Sequence, residues 1–470
     1  MSERGLQPEF PTGVERQLMA IAGPGSEADP AIRDLTALLW CSIDNDDSRD
    51  LDQLTVCELL DQGAVKMLVA IADVDALVKK GTPIDDHARI NTTSVYTSAR
   101  NFPMLPERLS TDLTSLNAGQ DRLALVTEMV FNVDATLKNS TVYRAKVRNK
   151  AKLAYDAVAA WIEGKGELPA AAASVPGMDM QLRTQDAVAQ GLRSRRHAEG
   201  SLELETFQPR ALFEGEQVVE IRQQEQNRAR QLIEEIMIAT NGCTARYLTA
   251  HGSASIRRVV RSPERWLRIA ALASEYGETL PSAPDSRALE AFLAKRHEAD
   301  PLRFPDLSLI VVKLMGRGEY VVEAPGAASV GHFGLAVRDY THSTAPNRRF
   351  PDLITSRMLK AVLGGNPPPY SGTELGALAA HCTQQEDAAQ KVERQMRKSE
   401  AALLLESRIG QHFDAIVTGS TTAGVWVRII TPPTEGKLVD PVPMLRVGDR
   451  VEVKLLRTDV ERGFIDFVVV

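Results

Sequence analysis

The chain reads as an α+β protein. It has a large mixed domain with a mostly helical second half, a short helical module before it, and a C-terminal five-stranded OB-type barrel. Three observations predict this. Strand-like apolar runs crowd residues 38–76. Helix-period stretches dominate from about 150 to 407. After Gly410 the texture changes to short alternating segments separated by glycine turns.

Residues 1–39 look helical. "GVERQLMAIAG" and "PAIRDLTALLW" both space apolar residues at three and four around a "GPGSEADP" turn. They predict a small helical module over 1–39, with helix-turn-helix as one reading. Such a length is too short for a separate stable domain, so the module should dock, and the terminal barrel is the expected partner.

The large domain is expected over 40–405. "LLWCSI", "LTVCELL" and "KMLVAIADV" read as strands, and so does "RLALVTEMVFNV". Residues 85–130 are otherwise irregular and punctuated by proline. Residues 150–164 read as helix, and "GELPAAAASVPGMDM" (166–180) as a surface loop. Long helices are predicted over 227–248, 286–297 and 382–407. In 406–470, "HFDAIVTGS", "GVWVRII", "GKLV", "DRVEVKLLRTD" and "GFIDFVVV" predict an OB-type barrel, an architecture that often binds oligonucleotides.

Composition narrows the class. With 470 residues, two or three domains are expected; 43% hydrophobic and 25% charged residues are globular values. A net charge of -7 does not advertise a nucleic-acid binder, although a basic groove can sit in an acidic protein. Cys41, Cys57, Cys243 and Cys382 form no C-x-x-C pair, so neither zinc sites nor a disulfide framework is expected. The first residues lack the apolar core of a signal peptide, and no run is long enough to span a membrane. A cytoplasmic monomer is the expectation.

"CSIDNDDSRDLDQ" (41–53) gathers Asp44, Asp46, Asp47, Asp50 and Asp52 between two apolar runs. Carboxylates this close repel, and a hard divalent ion removes that cost. An exposed acidic turn is the bland alternative. An EF-hand fails, because Arg49 stands where the loop needs glycine and Thr55 where it needs glutamate. Far along the chain, "GHFGLAVRDYTHSTAPNRRFPDL" (331–353) sets Arg348 and Arg349 behind a proline turn and ahead of a helix. That pattern suits a phosphate clamp, or a surface ion pair. No G-x-S-x-G, H-E-x-x-H or G-x-x-x-x-G-K-[ST] competes.

Together these stretches resemble the ribonuclease II/ribonuclease R family of 3′→5′ exoribonucleases. Asp44, Asp50, Asp52 and Gln53 fall on its acidic motif. Residues 69–122, "LIEEIMIATN" (232–241) and 331–353 match family blocks in order, and the terminal barrel resembles the family's S-one type domain. The resemblance covers roughly 38–470. It departs at Gln53, where the family usually has aspartate, and in the replacement of two preceding cold-shock barrels by the short module. An uncharged amide carbonyl at Gln53 should lower metal affinity.

The resemblance implies processive hydrolysis of single-stranded RNA from its 3′ end to nucleoside 5′-monophosphates, with limited action on duplexes. It implies Mg²⁺, or Mn²⁺, held by Asp44, Asp50, Asp52 and Gln53. Asp52 and Arg348 carry catalysis, with Arg348 on the scissile phosphate. RNA contacts fall to Tyr96, which stacks on a base near the 3′ end, and to Arg348, Arg349 and Glu393. The second aromatic of the family's base clamp aligns near Leu204, with Phe207 close enough to substitute. An RNA-binding pseudo-enzyme, with Gln53 as its lesion, is the alternative; a metal-dependent phosphodiesterase acting on another substrate is a third.

Overall fold

The computed structural model describes residues 1–470 except 99, 206–208, 215–216, 224–225, 422–423, 440–444 and 446–447. Phe207 therefore lies outside the described residues. The first half supplies β1 (Arg33–Asp34), β2 (Cys41–Asp44), β3 (Gln53–Leu59), β4 (Val65–Ala72), the short ribbon β5 (Val95–Tyr96) and β6 (Asn101–Phe102), then β7 (Asp121–Phe131), β8 (Leu137–Arg148) and β9 (Ala151–Ala154). Seven of these form one mixed sheet in the order β1-β8-β7-β4-β3-β2-β9. Both of its faces are covered, so β4 reads as an almost unbroken apolar run: Leu68 and Ala70 face one core, Met67, Val69 and Ile71 the other.

Helices make the two outer layers. On one face lie α1 (Thr12–Ala20), α2 (Pro83–Asn91), α10 (Phe350–Leu363) and the first half of α11 (Gly372–Glu406), through Val14, Ile84, Phe350, Leu353 and Leu375. On the other lie α3 (Tyr155–Ile162), α4 (Ala170–Ala173), α5 (Met178–Ala198) and α6 (Arg228–Ala250), through Val158, Ala172, Leu182 and Leu232. Burying each such leucine contributes about 2 kcal/mol. A hairpin, β10 (Pro209–Glu214) and β11 (Gln217–Gln223), precedes α6. A satellite core of Trp266, Ile269, Leu289, Phe292 and Phe304 joins α7 (Trp266–Glu275), α8 (Ser286–Ala299) and α9 (Phe304–Met315). Flanking these helices, β12 (Ser255–Val259) pairs with β13 (Glu319–Glu323).

The barrel closes as β14-β15-β16-β18-β17, from β14 (His412–Thr421), β15 (Gly424–Ile429), β16 (Thr434–Leu438), β17 (Arg450–Asp459) and β18 (Phe464–Val469). Alternate residues fill it, among them Ala415, Val417, Val427, Ile429, Val453 and Leu455. Strand β16 lies so close to β18 that a Cβ on Gly436 would stand 2.6 Å from the Ile465 carbonyl oxygen. Helix α11 is the strut between the bodies. Leu375, Leu378 and Cys382 pack on the sheet domain, and Ala401, Ala402, Leu404 and Leu405 pack on the barrel.

The five strands of the barrel and the helices over 227–248, 286–297 and 382–407 agree with the sequence reading. Several other expectations do not hold. Residues 30–40 are not helical. Asp29 accepts the Ala31 N–H, and Asp34 accepts both the N–H and the hydroxyl of Thr36. Local bonds of this kind compete with a helix, and Arg33–Asp34 pairs in parallel with β8. The large domain's sheet thus begins before residue 40. The N-terminal helix also does not lean on the barrel. It packs on α2 and the sheet domain, where Gln17 accepts the Ile84 N–H and Arg108 donates to Leu18 and Ile21 carbonyls. The supposed loop at 166–180 contains α4 and the start of α5, with Ala172 and Met178 buried. Finally, 83–91 is a helix with Pro83 at its first turn, a position that tolerates proline, and 151–154 is a strand rather than the start of a helix.

Candidate active site

The sheet delivers the acidic residues. Strand β2 ends at Asp44, whose Oδ1 accepts the Asn45 N–H at 2.7 Å and the Ser48 hydroxyl at 2.9 Å. These bonds turn the chain sharply. The returning segment is pinned by Ser115, which takes the Leu51 N–H at 2.9 Å and donates to the Arg49 carbonyl at 2.8 Å. Asp52 sits one residue before β3, its carbonyl accepting the Ala72 N–H, and is only 1% exposed. Gln53 begins β3 opposite Ile71 and is buried.

A second segment arrives from 295 residues away. The turn behind Pro346 presents the Asn347 N–H to Asp52 Oδ1 at 2.9 Å and Arg348 Nε to Asp52 Oδ2 at 3.2 Å. Three contacts hold this turn. Thr114 donates to the Asn347 side chain at 2.5 Å. Asn241 on α6 accepts the Ser343 N–H at 2.9 Å. Thr93 bridges Arg349, and the Ser94 N–H donates to the Arg348 carbonyl at 2.9 Å.

That last pairing carries Tyr96 into place. Its hydroxyl donates to Asp50 Oδ2 at 3.1 Å, and its N–H donates to Glu393 Oε1 on α11 at 3.1 Å. The tyrosine remains 42% exposed, so its ring can meet a ligand. Asp50, Asp52, Arg348, Tyr96 and Glu393 therefore form one connected set. Arg349 is placed differently: it is committed to the fully buried Asp352 at 2.7 Å. Leu204 packs into the satellite helical core beside Trp266 and Phe304.

The structure adds residues that the sequence reading passed over. Tyr155 begins α3 beneath the Arg230 guanidinium, 4.5 Å from its ring centre, and Arg230 donates to Asn45 at 3.0 Å. A tyrosine at a strand–helix junction is the only sequence signal. Behind the arginines, His342 takes a 2.8 Å bond with the Tyr320 hydroxyl, and burial with nearby Arg349 and Arg258 keeps its ring neutral.

Electrostatics mark the site. Burial pushes the Asp52 carboxyl up to about 7; Arg348 and the Asn347 N–H oppose this, and Asp50 and Asp352 add to it. Burial raises Asp50 too. Burial works against the Arg348 charge, but Asp52, Tyr96, Asp44 and Asp50 hold it firmly protonated. Three carboxyls, two of them biased toward protonation, offer oxygen donors whose chemistry fits a hard divalent cation. The three acidic side chains are not drawn into a tight cluster. Among the described residues, the group of ligand-type side chains with donor atoms within 4.8 Å of one another lies elsewhere.

Beside Glu393 lies a cleft of about 1100 Å³ between α9, α11 and the barrel. Glu393 lines it, together with Lys391, Arg394, Arg397 and Lys398 from the same helix and Lys313 from α9. Arg428 of β15 pairs with Asp306 of α9 at 2.8 Å and fixes the barrel wall. Among the described residues, no helix is long and apolar enough to cross a membrane.

The RNB domain family model matches residues 32–365, and the RNase II-type exonuclease C-terminal S1 domain matches 411–470. Ribonuclease R of Aquifex aeolicus is 29% identical over 98% of this chain and 68% of its own length. Ribonuclease R of Vibrio cholerae is 30% identical over 98% of this chain and 60% of its own. This chain thus spans between about three fifths and two thirds of these relatives. Among solved structures, Mycoplasma genitalium RNase R in complex with ribose-methylated single-stranded RNA superposes with a TM-score of 0.90 at 22% identity, covering 100% of this chain and 76% of that one.

Proposed function

Because the chain belongs to the RNB-domain family, we propose that it is a processive exoribonuclease. It hydrolyses single-stranded RNA from the 3′ end and releases nucleoside 5′-monophosphates, with limited action on duplexes. The observation that carries this reading is a chain of contacts: Glu393 lines the basic cleft and accepts the Tyr96 N–H, the Tyr96 hydroxyl donates to Asp50, and Arg348 pairs with Asp52.

Each residue has a task. Lys391, Arg394, Arg397 and Lys398 attract the phosphate backbone without reading sequence. The Tyr96 ring offers a face on which any terminal base can stack. Arg348 exchanges its contact with Asp52 for the scissile phosphate, where a planar fork suits two oxygens. Arg349 holds the turn through Asp352. Asp44, Asp50, Asp52 and Gln53 would hold Mg²⁺ or Mn²⁺. Such an ion supplies an acidified water and charge neutralisation. Gln53 adds an uncharged ligand and leaves three carboxyls in place, so the pseudo-enzyme reading is not favoured.

The test is a labelled single-stranded oligoribonucleotide incubated with Mg²⁺. Laddering down to mononucleotide supports the proposal. Stable retention without cleavage, or cleavage of DNA alone, overturns it. A hairpin with a 3′ overhang should shorten to near the stem and stop; full digestion of the stem contradicts the duplex limit.

A further inference from the structure

Residues 1–7, ahead of α1, form a strap against α11. A single 3₁₀ turn over Ser2–Arg4 ends at Gly5, whose φ of +76° reverses the chain, and the next residue, Leu6, is only 2% exposed. Leu6 belongs to one small core with Val95, Ala388, Ala389 and Val392, and Met1 and Phe102 pack against it. Two members of that core directly precede residues of the candidate site: Val95 comes before Tyr96, and Val392 before Glu393. Both ends of the 3.1 Å bond from the Tyr96 N–H to Glu393 are therefore one residue from that core. The strap is fastened at several points. Asn91 accepts the Gln7 N–H and donates to the Gln7 carbonyl, both at 2.8 Å, and Gln385 donates to the Gly5 carbonyl at 3.2 Å. Glu9 pairs with Arg100, next to β6, at 3.3 Å, and Arg4 lines the basic cleft together with Lys391 and Arg394.

We propose that Leu6 is a positioning residue for Tyr96, acting through Val95 and Val392 and touching no substrate; the role rests on the base stacking assigned to Tyr96 above. Besides the Ser94 bond to the Arg348 carbonyl, β5 has little backbone support, because it is a two-residue strand paired with β6. An isolated two-stranded ribbon is marginal in water, so the exposed Tyr96 ring depends on packing behind its backbone. Leu6 fills the angle between β5 and α11, which keeps the Tyr96 backbone against Glu393 and the ring where a base can meet it. Truncating Leu6 would leave a cavity that the short side chains of Ala388 and Ala389 cannot fill. Tyr96 would then gain freedom that it must give up when RNA binds.

The rival explanation is that Leu6 only anchors residues 1–7. A double-mutant cycle on the full chain separates the two, read as anisotropy of a labelled single-stranded oligoribonucleotide with Ca²⁺ in place of Mg²⁺. Leu6→Ala should weaken binding at least about fourfold when Tyr96 is present and less than about 1.5-fold when Tyr96 is already alanine, the coupling expected of residues that share a packed network. Leu6→Met, of similar volume, should bind as wild type does. Equal losses in the two backgrounds, or no loss in either, overturn the proposal. Hydrogen exchange measured without RNA reads the geometry itself. The peptide containing Tyr96 should lose protection in Leu6→Ala and keep it in Leu6→Met; unchanged protection in Leu6→Ala overturns the proposal as well. If wild type binds no RNA, the stacking role of Tyr96 fails, and the exchange result alone decides whether Leu6 holds Tyr96 against Glu393. If Leu6→Ala fails to fold, Leu6→Val takes its place in both measurements, with the same pattern expected.

Discussion

Arg348 Nε stands 3.2 Å from Asp52 Oδ2, across 296 positions of sequence, while the next residue back donates its N–H to the other Asp52 oxygen. The carboxyl is almost fully buried, and the arginine side chain is 45% exposed. The ion pair is therefore open on the arginine's side, where a phosphate can approach.

Replacing Arg348 separates its two duties. Arg348→Ala removes the phosphate contact and leaves Asp52 buried without its ion partner. We predict that single-turnover release falls about 10²–10³-fold, the usual loss when one donor to a developing charge is removed. Arg348→Lys keeps the charge but not the fork, and should recover only part of the rate. Rapid-quench kinetics with saturating enzyme check both. An unchanged rate in Arg348→Ala would remove the arginine from the reaction.

The raised carboxyl at Asp52 predicts how cation binding depends on pH. Its folded value is about 7, above the ordinary 3.8, mainly through burial. A proton and a cation compete for the same oxygens. Cation affinity of the metal-free protein should therefore climb as pH rises toward about 7 and level off above it. The stability of the metal-free protein runs the opposite way. The protonated form fits the buried site, so this contribution is complete below the ordinary carboxylate range and is lost as pH rises through about 7. Calorimetric Mg²⁺ titrations and thermal melts between pH 5 and 8 check the two signs, over roughly the range in which folded proteins are most stable.

Tyr96 has a ring and a hydroxyl with different partners. Tyr96→Ala should weaken RNA binding by about 1–3 kcal/mol, the value of one stacked base. Tyr96→Phe retains the stacking face and loses the 3.1 Å bond to Asp50. It should bind RNA nearly as well as wild type and release nucleotides more slowly. Fluorescence anisotropy with Ca²⁺ in place of Mg²⁺ measures binding, and turnover in Mg²⁺ measures the rest. Equal binding loss in both variants would contradict the stacking role.

Much of this arrangement is legible in the sequence, and the reasons are local. An apolar run stops at Asp44 and another starts after Asp52, so both read as strand-end carboxyls. The barrel is legible because alternation and glycine turns recur within about 60 residues. Where reading fails, a longer-range partner or a short polar side chain decides. Asp29 and Asp34 bind their own backbone and dissolve a helix that periodicity predicts over 30–40. Strand β8 starts with an exposed polar "KNST" that breaks the alternation, and it is fixed by pairing with β7. Asn347 looks like a turn residue, yet it is wholly buried and its N–H is the donor to Asp52. Arg349 looks equivalent to Arg348 until Asp352 is seen to claim it. The Tyr96–Asp50 contact joins residues that no periodicity connects.

The most direct measurement compares Asp52→Asn with wild type in two assays on the same single-stranded RNA. One is equilibrium binding by anisotropy, and the other is release of nucleoside 5′-monophosphate in Mg²⁺. Release should be abolished while the dissociation constant stays within about threefold, because the basic cleft and Tyr96, which supply most of the contact energy, are untouched. Retained release, or binding lost as completely as release, would contradict a role for Asp52 at the reacting phosphate.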